Sequence, residues 1–368
     1  MRIGIPKEIK NNEYRIGIVP GGVLALTSAG HEVFVQRGGG LGPGIADEQY
    51  EQAGARVLDT AEEIWNAAEM IVKVKEPQPS ELKMMKEDQT VFTYFHLAAD
   101  EELTRGCLGT GALCIAYETV EVNNHLPLLI PMSEVAGRMA CQEGAKYLEN
   151  PVKGRGVLLG GVPGVDPAKV VILGGGIVGT NAAKMASGMG ANVKILDVSL
   201  DRLRYLDDVM PKNVSTLYSN QVSVLESIKE ADLVIGAVLI QGAKAPHLVK
   251  KEWLKEMKPG AVIVDVSVDQ GGCIETTRPT THAEPTFIID DVVHYCVANM
   301  PGAVAGTSTY ALTNATQPYV QKLAEGPIAT IKGDHGLREG VNCYKGKLTY
   351  KAVADAFNMA YTPLNELL

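Results

Sequence analysis

His96 closes a run of apolar and aromatic residues, VFTYF, at the point where a buried strand should end. An imidazole titrates near neutral pH and can carry the proton that accompanies a redox step. Lys75 closes a second such run, MIVKVK, and Arg15 lies in the loop KNNEYRIGIVP. An ammonium can polarise a carbonyl oxygen or hold a carboxylate, and a guanidinium can clamp a carboxylate with two parallel hydrogen bonds. Asp269 closes a third run, AVIVDVSVD. This set suits a small amino or oxo acid. Each member also has an ordinary explanation. A strand-end histidine is often structural, and Lys75 with Lys73 two residues earlier fits a solvated face. Arg15 fits a surface charge, and Asp269 before QGG fits a turn.

A different chemistry stands in KVVILGGGIVGTNAAKMASGMGANVKILD, residues 169–197. Gly174, Gly176 and Gly179 give GxGxxG between an expected strand and an expected helix, and Asp197 ends the following strand. That context is a dinucleotide fingerprint. Gly174 permits the tight turn, Gly176 lets backbone approach a pyrophosphate, and Gly179 lets helix and strand pack closely. The helix N-terminus offers unpaired N–H groups and a positive dipole end. The Asp197 carboxylate suits ribose hydroxyls and repels a 2′-phosphate, which favours NAD over NADP. Ser219, Val238, Leu239 and the run Val266 to Asp269 stand at other strand ends, where such a ligand would sit.

The elements that must position these groups alternate. RIGIP, EVFVQ, MIVKVK, TVFTYF and LCIAYE read as strands, and GGVLALTSAG, DEQYEQAGARV, TAEEIWNAAE and SELKMMKED between them as helical. KVVILGGG, ANVKILD, STLYS, ADLVIGAVL, AVIVDVSVD and PTFIIDD continue the strands. The rhythm predicts an α/β protein with two doubly wound, Rossmann-like domains and parallel sheets. Right-handed crossovers put the strands' C-terminal ends on one edge of each sheet. The two edges are expected to face each other across a cleft. From about Pro301 the chain looks helical and is expected to return to the first domain. The domains are then 1–129 with 302–368 for substrate and catalysis, and 130–301 for the dinucleotide.

Composition narrows the classes. The 368 residues exceed one ordinary core. A net charge of −9 without a Lys/Arg block argues against nucleic acid as the partner. The six cysteines form no CxxC pair and no zinc-type cluster, so no metal is expected, and reduced thiols fit a cytoplasmic protein. MRIGIPKEIK has no apolar h-region. The uncharged run 295–321 carries Asn, Thr, Gln, Pro and Gly, against a membrane helix.

The whole chain resembles the bacterial L-alanine dehydrogenase family. The segments that carry the likeness are MRIGIPKEIKNNEYRIGIVP, MIVKVKEPQPSE, YFHLAAD, PMSEVAGRMA, ILGGGIVGTNAAKMASGMGA, ADLVIGAVLIQGAKAPHLV, VDVSVDQGGCIETTRPTTH and VANMPGAVAGTSTYALTNAT. The resemblance implies reversible oxidation of L-alanine by NAD to pyruvate and ammonium, in a homohexamer. It implies that Arg15 and Lys75 bind substrate, with Asn299 near it, and that His96 and Asp269 are the catalytic pair. It implies NAD contacts at Ser133, Ile177, Val178, Asp197, Arg202, Ser219, Val238 and Leu239. Val266, Ser267, Val268, Asp269, Arg278, Val297, Ala298, Asn299 and Met300 complete the implied set. The NAD-binding subunit of proton-translocating transhydrogenase is similar in fold, and a hydride donor to a partner protein is the alternative activity. A non-catalytic NAD-binding module is the third possibility.

Overall fold

The computed structural model describes residues 1–238 and 245–368, with residues 269 and 270 described in the backbone alone. The chain forms two compact units, one of Met1–Met132 with Gly302–Leu368, the other of Ser133–Pro301. The first changeover falls inside the helix Ile130–Tyr147, where the sequence reading has it between residues 129 and 130.

The first unit begins with β1 (Arg2–Ile5), β2 (Glu32–Gln36), β3 (Arg56–Leu58), β4 (Met70–Val72), β5 (Thr90–Thr93) and β6 (Leu113–Ala116). They lie in the order β3-β2-β1-β4-β5-β6, all parallel. Every residue of β4, β5 and β6 is buried, as expected of a sheet covered on both faces, and apart from Thr90 and Thr93 their runs are apolar for that reason. Trp65, Phe34, Ile71, Val91 and Phe95 fill one of the layers so formed.

The second unit holds β7 (Lys169–Leu173), β8 (Asn192–Asp197), β9 (Val214–Tyr218), β10 (Leu233–Gly236), β11 (Val262–Asp265), β12 (Thr286–Ile289) and β13 (Val292–Tyr295). Their order is β12-β13-β11-β10-β7-β8-β9, parallel except for the β12–β13 pair. Val171, Leu196, Val234 and Ile263 pack beneath the helix Gln221–Glu230 through Val224 and Ile228.

The last segment corrects the expectation of an all-helical return. It contains the helix Ala305–Ala324, and it also contains β14 (Val341–Tyr344) and β15 (Lys347–Leu348), a hairpin that extends the first sheet antiparallel beyond β6. Lys345 and Gly346 turn it with positive φ, 49° and 70°. Both sheets are therefore mixed at one edge. β3 is a second correction. It lies in a stretch that reads as helical, and only RVL is extended. AVIVDVSVD is a third. Its strand stops at Asp265, and Val266–Gln270 coil into a 3-10 turn.

Candidate active site

In the first sheet the winding reverses between β1 and β4, so the loops after these strands flank the crevice where ligands of doubly wound sheets bind. Both loops are loaded with charge. The β4 exit carries Lys73, which is fully buried and ion-paired to Glu8 at 3.1 Å and to Glu81 at 2.8 Å. This overturns the solvated-face explanation of the neighbouring lysines. Glu8 also accepts from the backbone N–H of Val74 (2.6 Å) and Lys75 (3.3 Å). Burial raises the Glu8 pKa, against the pull of Lys73. Thr93 Oγ1 donates to the Lys75 carbonyl at 2.8 Å from the other side. The backbone of Lys75 is thus held from both neighbouring strands.

Arg15 is not a surface charge. It is 2% exposed, and its Nε and Nη2 donate to the two oxygens of Glu13 at 2.7 and 2.5 Å, with Nη1 2.8 Å from Met132 Sδ. Burial works against its charge, and Glu13 more than offsets this, so the Arg15 pKa is raised. The Nε–Nη2 fork is taken up by Glu13, so a bound carboxylate would have to meet another edge of the guanidinium.

Lys75 is half-buried, and its pKa is lowered by desolvation first and then by Arg15, with a smaller push from Lys10. His96 follows β5, beside β4. Its pKa is lowered by desolvation and then by Lys75, Lys10 and Arg15. The residue is exposed on its loop, so desolvation of the ring is partial, and the three cations add to it. The imidazole lies parallel to the Tyr94 ring, centroids 5.7 Å apart at 4°. Tyr94 is buried and donates its hydroxyl to the Leu128 carbonyl at 2.5 Å. Arg15, Lys75 and His96 therefore share one electrostatic neighbourhood, where a small carboxylate would be held and a neutral imidazole kept beside it.

The second sheet reverses between β7 and β10. Gly174 follows β7 with φ of 101°, and a Cβ there would stand 2.7 Å from the Ala237 carbonyl oxygen at the β10 exit. A Cβ on Gly179 would stand 1.9 Å from the Gly174 carbonyl oxygen, so only glycine lets this helix sit so close. Gly176 differs. No atom lies within 4 Å of its would-be Cβ, it is exposed, and it precedes the helix Ile177–Gly188 with no side-chain cap on the first-turn N–H groups. That bare N-terminus with room above it fits a dinucleotide's pyrophosphate. Asp197 ends β8. Its oxygens accept from Gly175 N at 2.7 Å and Ser199 N at 2.8 Å, so the carboxylate braces the glycine turn. Arg202 braces it from the far side, donating to the Gly175 carbonyl (2.6 Å) and Thr180 Oγ1 (2.7 Å).

The parallel ladders bring Gly174, Asp197, Ser219, Val238 and Val266 to one edge. Ser219 N donates to the Asp197 carbonyl at 2.9 Å. Ile177 and Val178 open the fingerprint helix. Ser133 lies one turn before Gly137, whose would-be Cβ stands 2.2 Å from the Val178 carbonyl oxygen, so this face of its helix leans on the fingerprint helix. Ser267 and Val268 are buried in the 3-10 turn, which the Asp265 carboxylate ties down through Ser267 N and Cys273 N, both at 3.0 Å. Val297 and Ala298 follow β13 and pair with Thr280. Asn299 has φ of 58° and is half-buried, and Met300 is buried. Arg278 lies beside Cys296, the residue before Val297, and its guanidinium stands 4.5 Å over the Phe287 ring on the edge strand β12. Leu239 and the side chain of Asp269 lie outside the described residues. Glu8, Glu13 and Glu118, which hold the cationic groups and the His96 backbone, were not singled out from sequence. Glu118 carried a signal, since it closes LCIAYE next to the strand of His96.

Two family models match the chain. "Alanine dehydrogenase/PNT, N-terminal domain" matches residues 4–136 and "Alanine dehydrogenase/PNT, C-terminal domain" matches residues 140–351. The chain is 56% identical to an alanine dehydrogenase of Methanococcus maripaludis, with 100% of both chains covered. A solved L-alanine dehydrogenase superposes with a TM-score of 0.95 at 53% identity, over 97% of this chain and 99% of that one. A transhydrogenase from Sinorhizobium meliloti superposes with a TM-score of 0.83 at 25% identity, over 95% and 100%.

Proposed function

The chain belongs to the alanine dehydrogenase/PNT family and deaminates L-alanine to pyruvate and ammonium with NAD, and we propose how its own residues do so. The observation that carries the proposal is a strand-end imidazole in the field of Lys75 and Arg15, whose loops flank the sheet's switch point one strand away. Bound NAD⁺ would supply the acceptor for hydride from the Cα of alanine, whose carbon would be left as an imine. The glycine turn and the bare N-terminus at Gly176 would hold the pyrophosphate, and Asp197 would accept from the ribose hydroxyls. Arg15 and Lys75 bind the substrate carboxylate and, in reverse, the oxo oxygen of pyruvate. His96, kept neutral by its cations, takes the proton from the water that adds to the imine. It returns that proton as ammonia leaves. A bound carboxylate brings negative charge between the cations and lifts the His96 pKa toward the range where it also serves as an acid. Asp269 is assigned as the second catalytic residue, and Asn299 as a neighbour of the substrate, on resemblance.

The NADH absorbance trace tests this reading. Alanine with NAD⁺ should raise it, and pyruvate with ammonium and NADH should lower it. No change with either pair would leave the transhydrogenase-like donor, which the 25% relative supports more weakly. All six cysteines are free and buried, and among the described residues no helix is long and apolar enough to cross a membrane. The free thiols fit a reducing, cytoplasmic setting, and the family resemblance supports a homohexamer, which light scattering of the purified protein would check.

A further inference from the structure

We propose that Glu118 is a positioning residue that holds His96 in its working conformation, an inference that rests on the acid/base role of His96. β5 and β6 run parallel with Thr93 opposite Ala116, so the residues just beyond each strand meet. Glu118 there turns its carboxylate to the backbone of the β5 exit. Its Oε1 accepts from His96 N at 2.5 Å, and both oxygens accept from Phe95 N at 3.2 Å. Both oxygens are thus occupied with main chain, so Glu118 anchors the loop and is not itself the proton carrier.

The anchor has strain to hold. His96 sits at φ 51°, ψ 37°, in the left-handed region. Its Cβ makes that conformation unfavourable, and such strain persists only where surroundings fix it. The other non-glycine residues with positive φ, among the described residues, are Asn, Asp or Lys, and His96 is the one histidine. His96 is exposed, and its backbone is held at two points, its carbonyl accepting from Ala99 N at 3.0 Å and its N–H donating to Glu118. Without the carboxylate, its N–H would turn to water and the peptide would relax toward the extended region, carrying the ring off Tyr94. Tyr94 sets the plane of the imidazole, and Glu118 sets the backbone from which it projects. Burial raises the Glu118 pKa to about 7, against the pull of the His96 and Phe95 N–H groups and of Lys75. A neutral side chain of the same shape would keep an oxygen for one N–H and present an NH₂ to the other.

The test is a double-mutant cycle on the full-length enzyme with Glu118→Ala, Glu118→Gln, His96→Ala and the His96→Ala/Glu118→Gln pair. Glu118→Ala should lower kcat by about 100-fold and Glu118→Gln by about 10-fold, the range expected when a reacting group is misplaced by about 1 Å. NADH binding should stay within about twofold of the parent, since the fingerprint is elsewhere. In the His96→Ala background, Glu118→Gln should cost no further kcat, because the residue it positions is gone. Additive losses would overturn the proposal, as would a Glu118→Gln enzyme with parental kcat. Should Glu118→Ala not fold, the Gln variant carries the cycle. A fully active His96→Ala enzyme would instead remove the acid/base role, and the positioning role with it. A crippled His96→Ala beside unaffected Glu118 variants would remove the positioning role alone.

Discussion

The two units wind their sheets in the same sense, β3-β2-β1-β4-β5-β6 in one and β9-β8-β7-β10-β11-β13 in the other, yet build their switch points from opposite materials. The second unit uses backbone. Its turn is glycine, its first helical N–H groups are uncapped, and its charged residues Asp197 and Arg202 brace the turn. The first unit uses side chains. Lys73, Glu8 and Glu81 are buried together, Arg15 is buried on Glu13, and the Lys75 backbone is tied to Glu8. A backbone site suits a large ligand with repeated phosphates, and little of it needs desolvated charge. A side-chain site suits a small acid, and its cations must be held in place against the cost of burial. One sheet order thus serves two recognition problems, and the loops decide which.

The comparison breaks most sharply if function does not divide this way. His96→Ala should lower kcat by about 10²–10⁴-fold while NADH affinity stays near the parental value. Steady-state kinetics and a NADH fluorescence titration check this pair. Equal damage to both would mean that the imidazole supports the fold rather than the chemistry.

Next in size is the cost of the buried charges. Lys73→Met strips the cation from a set with two carboxylates and should destabilise the protein by about 3–5 kcal/mol. The loss should be smaller near pH 5 than near pH 8. Burial already raises the Glu8 pKa, and without Lys73 the Glu8 carboxylate takes up a proton more readily still. Thermal melts across that range measure it. A melt unchanged at both pH values would mean the triad contributes nothing to holding Lys75.

The glycine turn sharpens the other side. Gly179→Ala places a methyl 1.9 Å from the Gly174 carbonyl oxygen, so the helix must move, and about 1–3 kcal/mol of stability should be lost. Gly176→Ala meets nothing within 4 Å and should melt like the parent. It should still bind NADH about 10-fold more weakly, about 1.4 kcal/mol, because the methyl stands where the pyrophosphate approaches. If Gly176→Ala binds NADH normally, the open space is not the phosphate site.

The same contrast explains what the sequence disclosed. A backbone site is local, so GxGxxG, its flanking strand and helix, and Asp197 read as one pattern over residues 169–197. The side-chain site draws on loops from Glu8 to Glu118, and its anionic partners have no spacing rule. Arg15, Lys75 and His96 were legible because cationic or basic residues close apolar runs or follow one. Glu8 and Glu13 were not, because a carboxylate at a loop looks the same whether it meets water or a buried N–H, and Glu118 showed only its place at the end of LCIAYE. Lys73 looked solvated because alternation in MIVKVK suggests an open face, and only the ion pairs show that the face is closed. β3 and the β14–β15 hairpin escaped for a related reason. Each strand has two to four residues, too few for periodicity to declare itself, and the Lys345–Gly346 turn was the one local sign of the hairpin.

The smallest expected effect asks whether the cations of the first unit act on the imidazole at all. Lys75, Lys10 and Arg15 face His96, Tyr94 stacks on it, and Glu118 takes its backbone N–H. Desolvation and the three cations hold the His96 pKa below its ordinary value. The folded state then binds fewer protons at this ring than the unfolded chain does. The neutral ring's contribution is complete above about pH 6.5 and is lost as pH falls from there toward the folded pKa. Lys75→Met removes one cation and keeps most of the volume, so the His96 pKa should rise, by at most about one pH unit through this partly solvated medium. His96 is exposed, so diethyl pyrocarbonate can reach it, and the pH dependence of its acylation, followed by peptide mass, reports the pKa. The midpoint should move upward in Lys75→Met. The acid-side loss of thermal stability should shrink with it. A midpoint that stays put would mean that Lys75 does not reach the ring electrostatically, and the side-chain site would then lack the coupling that distinguishes it from the glycine turn.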